Sequence, residues 1–320
     1  MSRDSLVSEI TRLKKQRNAV ILAHNYQLPE VQDIADFVGD SLGLSIQAAA
    51  TGAETIVFCG VHFMAETAKI LSPDKTVLLP DLEAGCPMAD MITAHDVREL
   101  RRQYPGRTFL CYVNTTAAVK AECDLCCTSA NAVSMVRDIT SKGGSVVFVP
   151  DEHLAGYAAA STGCDIVAWQ GFCPTHARIT PEDILELKER HRHAVVLAHP
   201  ECSAEVRELA HEVVSTEGMC LRARDMEAGE FIVATELGIL HRLRRENPAK
   251  RFYPASEEAL CPNMKLTTLE KIHLSLSEML HPVTIDSDTL FRAKRCIDGI
   301  LEYRWQHRGG HLPPRAGQGL

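Results

Sequence analysis

Long apolar runs are missing from this sequence: among its 320 residues no uninterrupted stretch reaches the length that spans a bilayer. The opening residues, MSRDSLVSEITRLKKQRN, are polar and charged and lack the apolar core of a signal peptide. A cytoplasmic protein with no membrane partner is expected. Blocks of positive charge are missing too. The formal net charge is −8 and no basic run could neutralise a row of phosphates, which argues against a nucleic-acid partner. Neither G-x-x-x-x-G-K-[ST] nor a G-x-G-x-x-G after the first strand occurs, so no nucleotide cradle is supported and any phosphate must be held by other means.

What is present is the composition of an ordinary globular protein, 45% hydrophobic and 24% charged, long enough for two or three domains with cores of their own. Twelve cysteines accompany it. In a reducing compartment they are not a disulfide framework, and those at patterned positions read as metal ligands or catalytic thiols.

The pattern is a Cys-Pro step that recurs at Cys86-Pro87, Cys173-Pro174 and Cys261-Pro262, 87 and then 88 residues apart. With 12 Cys and 15 Pro, random order would yield about half of one such pair. Three apolar runs keep the same interval: VILAHNY ends at Tyr26, TFLCYVN at Asn114 and VVLAHPE at Glu201. In that register His24 pairs with Tyr112 and His199, Tyr26 with Asn114 and Glu201, and Ser41 with Ser129 and Thr216. An internal triplication accounts for all of it.

Within each repeat, strands alternate with helices, which implies a parallel sheet. The expected fold is α/β: three homologous αβα domains with parallel sheets, arranged with pseudo-threefold symmetry around a central site. Repeat 1 is placed at 1–104 with a lead-in helix carrying Leu6, Ile10 and Leu13 on one face, repeat 2 at 105–191, and repeat 3 at 192–284. Three strands are expected in each, with helices over 29–38 and 204–214. A helix near 266–280 and a C-terminal helix at 285–305 are expected to pack back on repeat 1. The Gly-, Pro- and Arg-rich tail at 306–320 is expected to be disordered.

Ligands of parallel α/β sheets bind beyond the carboxyl ends of the strands, where the repeated polar residues fall. Positions i and i+2 of an extended segment point the same way, so His24 with Tyr26, Tyr112 with Asn114 and His199 with Glu201 would converge if the repeats close on one another. Ser41, Ser129 and Thr216 fall where helices begin. They are either simple N-caps or hydroxyls that, with the helix ends, hold carboxylates.

Three thiolates from Cys86, Cys173 and Cys261 would meet there as well. A structural zinc site needs four closed ligands, often in tight pairs, and no fourth is evident. A [4Fe–4S] cluster bound by three cysteines leaves one iron open as a Lewis acid. His176, three residues after Cys173, is near any such cluster. Cys123, Cys126 and Cys127 form C-x2-C-C without a counterpart in the other repeats and read as packing thiols. Cys59, Cys111, Cys164, Cys202, Cys220 and Cys296 are expected to be buried.

AHNYQLPEVQDIADFVGDSL, LPDLEAGCPMADM, YVNTTAAVKAECDLCCTSANAV, AWQGFCPTH, AHPEC and YPASEEALCPNMKLTTLEKI resemble characteristic segments of the quinolinate synthase family, over roughly residues 18–282. The resemblance implies a [4Fe–4S] cluster on Cys86, Cys173 and Cys261. It implies condensation of iminosuccinate (iminoaspartate) with dihydroxyacetone phosphate to quinolinate, with release of phosphate and water, in NAD biosynthesis. L-aspartate oxidase or aspartate dehydrogenase would then be the supplier. Family substrate contacts map onto His24, Ser41, Tyr112, Asn114, Ser129, His199, Glu201 and Thr216.

For catalysis the expected roles are Glu201 as base assisted by His199, Tyr26 and Tyr112 as proton donors or relays, and His176 completing the site. Some family members carry a C-x2-C approach to the third cluster cysteine; here Ala255 and Glu258 stand there, so no disulfide control is expected. Two alternatives share the cysteine pattern: another [4Fe–4S] hydro-lyase acting on a dicarboxylate, and a cluster-based redox or oxygen sensor.

Overall fold

The computed structural model describes residues 2–308. Among the described residues twelve strands form three separate four-stranded sheets, with every strand pairing within them parallel. The first contains β1 (Ala19–His24), β2 (Phe37–Gly39), β3 (Thr55–Cys59) and β4 (Thr76–Leu78), ordered β2-β1-β3-β4. The second contains β5 (Thr108–Tyr112), β6 (Leu125–Cys127), β7 (Val146–Val149) and β8 (Ile166–Ala168), ordered β6-β5-β7-β8. The third contains β9 (Val195–Ala198), β10 (Glu212–Val213), β11 (Glu230–Ala234) and β12 (Arg251–Pro254), ordered β10-β9-β11-β12. The central strands are buried on both faces, as β3 shows along its whole length, and so read as continuous apolar runs.

Each sheet has one strand more than the sequence reading expected. The additional strands β2, β6 and β10 are edge strands of two or three residues, too short to show a period. The expected 29–38 helix stops at Ile34 so that β2 can pair with β1, and the 204–214 helix stops at Glu208 for the same reason.

A repeated clasp sets this edge. Asp36 Oδ2, Asp124 Oδ2 and His211 Nδ1 accept the backbone N–H of Ile21, Phe109 and Val196 at 2.8, 2.7 and 2.8 Å, fifteen residues back in every case. The same three residues donate their own N–H to the carbonyl of that partner at 2.9, 3.0 and 2.9 Å. The triplication is thus written in hydrogen bonds as well as in sequence.

The lead-in helix Arg3–Gln16 buries Leu6, Ile10 and Leu13 against β1 and β3. Each such side chain contributes about 1.5–3 kcal/mol of burial. Helix Leu269–Glu278 adds Leu269, Ile272 and Leu276 to that same core, so it does return to the first repeat. The segment after it extends the sheet, with Val283 N–H donating to Val77 O at 2.8 Å.

The last helix, Ser287–Arg308, reaches the first repeat at Ile70 and also packs on the second. Cys296 and Ile300 join the core of the second repeat, while Ala293 and Ile297 reach Ile70 and Ala117. The short edge strand β6 leaves an apolar flank that this helix covers. The expected tail from 309 onward lies outside the described residues.

All twelve cysteines are free, and Cys59, Cys111, Cys202, Cys220 and Cys296 are buried as expected. Cys123, Cys126 and Cys127 lie in the second core. Cys164 is the exception among those expected to be buried. It follows Gly163 at the end of helix Glu152–Thr162, half-buried, with its thiol 3.2 Å from the Thr140 hydroxyl. No helix among the described residues is long and apolar enough to cross a membrane.

Candidate active site

The carboxyl ends of β1, β5 and β9 open onto one cavity of about 220 Å³, and every residue singled out from the sequence lines it. The first repeat supplies His24, Tyr26, Ser41 and Cys86; the second Tyr112, Asn114, Ser129, Cys173 and His176; the third His199, Glu201, Thr216 and Cys261.

The two histidines are held alike. The backbone N–H of Tyr26 donates to His24 Nδ1 at 3.2 Å, and that of Glu201 donates to His199 Nδ1 at 3.3 Å. With Nδ1 an acceptor, the proton of each neutral ring is on Nε2. Burial drives both pKa values down to about 3, so both rings are neutral hydrogen-bond donors near pH 7.

Glu201 is 3% exposed and is surrounded by donors. Tyr112 donates to Oε1 at 2.6 Å and Asn114 Nδ2 at 3.3 Å, while His176 Nδ1 lies 2.9 Å from Oε2. Burial by itself would raise the carboxyl pKa; the close His176 imidazole and the hydrogen bond from Tyr112 outweigh it and hold the group below its ordinary range. Glu201 therefore stands as a carboxylate. Burial and then that negative charge push the Tyr26 and Tyr112 phenols well above theirs, so both are protonated.

The capping reading of the three hydroxyls is corrected. Asp40 Oδ1 caps helix Ser41–Ala50, accepting from Gly43 N–H at 2.6 Å, and Ser215 Oγ caps helix Thr216–Asp225, accepting from Gly218 N–H at 3.2 Å. Ser41 and Thr216 are instead the first helical residues. Ser129 precedes helix Ala132–Ser141, whose boundary residue is Asn131. Because Asp40 and Ser215 cap their own helices, Ser41 and Thr216 are not needed as caps and line the cavity, where the Thr216 hydroxyl accepts from Asn25 Nδ2 at 3.2 Å.

Each Cys-Pro cysteine stands before a single helical turn: Pro87–Asp90 follows Cys86, His176–Arg178 lies beyond Cys173, and Asn263–Lys265 beyond Cys261. Proline has no N–H and presets the turn. The next two backbone N–H groups then face the sulfur: Met88 and Ala89 at Cys86, Thr175 and His176 at Cys173, Asn263 and Met264 at Cys261. Burial raises all three thiols, Cys86 to about 12 and Cys173 well above its ordinary value, so each keeps its proton until a cation replaces it. Three soft donors with prearranged N–H···S support fit an iron–sulfur centre. Atoms of Cys173, His176 and Glu201 also lie within 4.8 Å of one another, a group able to hold a metal ion.

Sequence reading missed the ends of the second strands. Thr235 and Glu236 follow β11 directly. Thr235 Oγ1 is 2.6 Å from Tyr26 OH and 2.8 Å from His176 Nε2. Glu236 pairs with Lys265 at 2.8 Å and accepts the Cys261 N–H at 3.1 Å. The signal was their position one step past an apolar run, the same signal used for His24 and His199.

With this geometry in view, the chain can be compared with known proteins. The family described as quinolinate synthetase A protein matches it over residues 8–302. The chain belongs to the quinolinate synthase family. The quinolinate synthase of Methanosarcina barkeri is 51% identical over 301 residues, covering 94% of this chain and 98% of that protein. That of Dehalococcoides mccartyi is 54% identical over 294 residues, 92% and 97% of the two chains, and that of Thermodesulfovibrio yellowstonii 53% over 299 residues, 92% and 97%. Membership makes the chain an enzyme of NAD biosynthesis and implies an iron–sulfur centre, for which the cavity offers its thiols.

Proposed function

We propose that the chain condenses iminosuccinate with dihydroxyacetone phosphate to form quinolinate, phosphate and water, with a [4Fe–4S] cluster on Cys86, Cys173 and Cys261. The observation that carries this reading is the meeting of three equivalent cysteines, one per repeat, with Glu201 and its donors in a single cavity. When bound, such a cluster supplies a Lewis-acidic iron for a substrate oxygen.

The remaining chemistry belongs to the side chains. His24 and His199 present neutral Nε2–H donors to substrate carboxylates. Ser41, Ser129 and Thr216 add hydroxyls beside helix N-termini, where negative charge is stabilised by roughly 0.3–1 kcal/mol per site. Glu201, the carboxylate, removes protons as the new carbon–carbon bond and the ring form, with His199 orienting it. Tyr112 and Tyr26, held as neutral phenols, donate protons to oxygens that leave as water. The imine substrate calls for an enzyme that oxidises aspartate, L-aspartate oxidase or aspartate dehydrogenase. Twelve free thiols suit a reducing cytoplasm.

The test is turnover by protein purified without oxygen. Quinolinate should form from the two substrates in wild type, and Glu201→Gln should lower kcat about 10²- to 10⁴-fold with its iron retained. Iron-loaded protein that makes no quinolinate would point to a different hydro-lyase. A Glu201→Gln variant of near-normal rate would remove the base assignment.

A further inference from the structure

Resting on that reading, we propose that Gln32, Lys120 and Arg207 are positioning residues, one per repeat, that fix the angle at which Tyr26, Asn114 and Glu201 enter the cavity. They share one register. Each stands eight residues after His24, Tyr112 or His199, on the short helix that follows the strand end, 88 and then 87 residues apart.

Each side chain reaches back to the carbonyl that precedes the cavity residue of its own repeat. Gln32 Nε2 donates to Asn25 O at 3.2 Å, Lys120 Nζ to Val113 O at 2.7 Å and Arg207 Nη1 to Pro200 O at 2.9 Å. Gln32 and Lys120 also donate to the carbonyl that follows it, Gln27 O at 2.9 Å and Thr115 O. Tyr26 and Asn114 are thus braced on both sides, and Glu201 on one.

The same groups extend to a neighbouring repeat. Gln32 Nε2 donates to Gly238 O at 2.9 Å in the third, Arg207 Nη1 donates to His153 O in the second, and the Lys120 ammonium lies 5.6 Å from the centre of the Phe63 ring in the first. These three targets are equivalent. Each directly follows the residue whose N–H donates to the carbonyl two places before a Cys-Pro cysteine: His62 to Ala84 O at 2.8 Å, Glu152 to Gly171 O at 2.8 Å and Leu237 to Ala259 O at 3.0 Å. A brace therefore runs from the polar residue of one repeat to the segment that holds the cysteine loop of another.

An amide, an ammonium and a guanidinium share little except N–H donors on a flexible stem. What the register keeps is a donor aimed at one carbonyl. Lys120 shows the demand most plainly: it is 0% exposed, and an ammonium taken out of water is costly where a methionine would pack without charge. Docking of the short helices does not require it. Their preceding residues, Val31, Val119 and Val206, are each 0% exposed and seat them by apolar packing. The polar neighbour is left with the loop, and the loop with the angle of the side chain that enters the cavity.

The experiment compares Lys120→Met, Arg207→Met and Arg207→Lys in iron-loaded enzyme, each alone and combined with loss of the cavity residue that it holds. In Lys120→Met and Arg207→Met, kcat/KM should fall about 10²-fold and calorimetric affinity for quinolinate about tenfold, with iron content unchanged, as a displacement of about 1 Å would cause. Arg207→Lys still reaches Pro200 O and should recover to within about fivefold of wild type. In an Asn114→Ala background Lys120→Met should cost less than about threefold more, and Arg207→Met likewise in Glu201→Gln, because the residue being aimed is gone. In a Thr216→Val background Lys120→Met should keep its full effect.

A brace that only stabilises the fold would give the same loss in every background and leave quinolinate affinity where it was. That result would overturn the proposal, as would a wild-type kcat/KM in Arg207→Met. Should Lys120→Met fail to fold, the half-buried Arg207 and its lysine rescue decide alone. Wild type that neither turns over nor binds quinolinate would remove the proposed function and this inference with it, whereas active wild type beside indifferent variants would remove the inference alone.

Discussion

Two groups of cysteines occupy this chain, and their sequence spacings are misleading guides to which one is prepared for a metal. Cys123 and Cys126 have the C-x2-C interval, and folding brings Cys111 and Cys296 beside them, with Cys111 Sγ 3.6 Å from Cys296 Sγ. Cys86, Cys173 and Cys261 are nearly ninety residues apart. Yet the dispersed set has the paired backbone N–H donors and the polar cavity, while the compact set is buried among Phe109, Val136 and Phe148. Proximity of sulfurs is a packing outcome; readiness to bind iron needs donors that support thiolate charge and room for the group they hold.

The largest effect should come from exchanging alanine between the groups. Cys86→Ala, Cys173→Ala or Cys261→Ala should each abolish quinolinate formation and lower iron from about four per chain. Cys296→Ala should cost about 1 kcal/mol of stability, a common value for a buried substitution, and leave iron and rate within about twofold. Iron and sulfide analysis with denaturant unfolding reads both arms. Loss of iron from Cys296→Ala with the fold intact would erase the distinction.

The burial that raises the cavity thiols also depresses the cavity imidazoles, which sharpens the comparison through pH. Unfolded, His24 and His199 take up protons below about 6.5; folded, they stay neutral down to about 3. Between those limits the unfolded state binds more protons, so stability is lost as pH falls from 6.5 and recovered above it, by up to ~1.4 kcal/mol per pH unit for each ring. Glu201, depressed instead, acts in the same direction but only below about 4.5. Thermal unfolding between pH 6.5 and 5 should show a shallower loss in a His24→Gln and His199→Gln double variant than in wild type. Equal slopes would mean that the cavity is not dry enough to hold neutral rings.

The legible parts of this protein were those that repetition amplifies. One Cys-Pro step means little, but three at one interval selected Cys86, Cys173 and Cys261, and the same register found His24, Tyr112 and His199 without a coordinate. Strands β2, β6 and β10 stayed hidden because two or three residues carry no period, and their defining bonds, from Asp36, Asp124 and His211, link side chains of changing identity to backbone. Thr235 was hidden for another reason. Its partners Tyr26 and His176 belong to other repeats, so its contacts exist only after assembly. Ser41 and Thr216 were placed correctly and given a competing role as caps, because a hydroxyl at a helix start looks the same whether it or its neighbour accepts the N–H.

The smallest effect expected is none at all, and it tests whether the cavity thiols are as separate from disulfide chemistry as their spacing says. Ala255 is buried in the third core and Glu258 is exposed, so the approach to Cys261 offers no second thiol. Cys111 and Cys296, with sulfurs 3.6 Å apart, are shielded at 0% and 1% exposure on the far side of the comparison. Anaerobic treatment with diamide followed by dithiothreitol should leave quinolinate formation where it began, in wild type and in Cys296→Ala alike. A reversible change that vanishes in Cys296→Ala would assign a switch to the core group, acting through the C-terminal helix. A reversible change that persists there, with a disulfide mapped to Cys261, would show that a cavity ligand can be drawn out of its N–H cradle, and the distinction between binding and packing thiols would then rest on dynamics rather than on geometry.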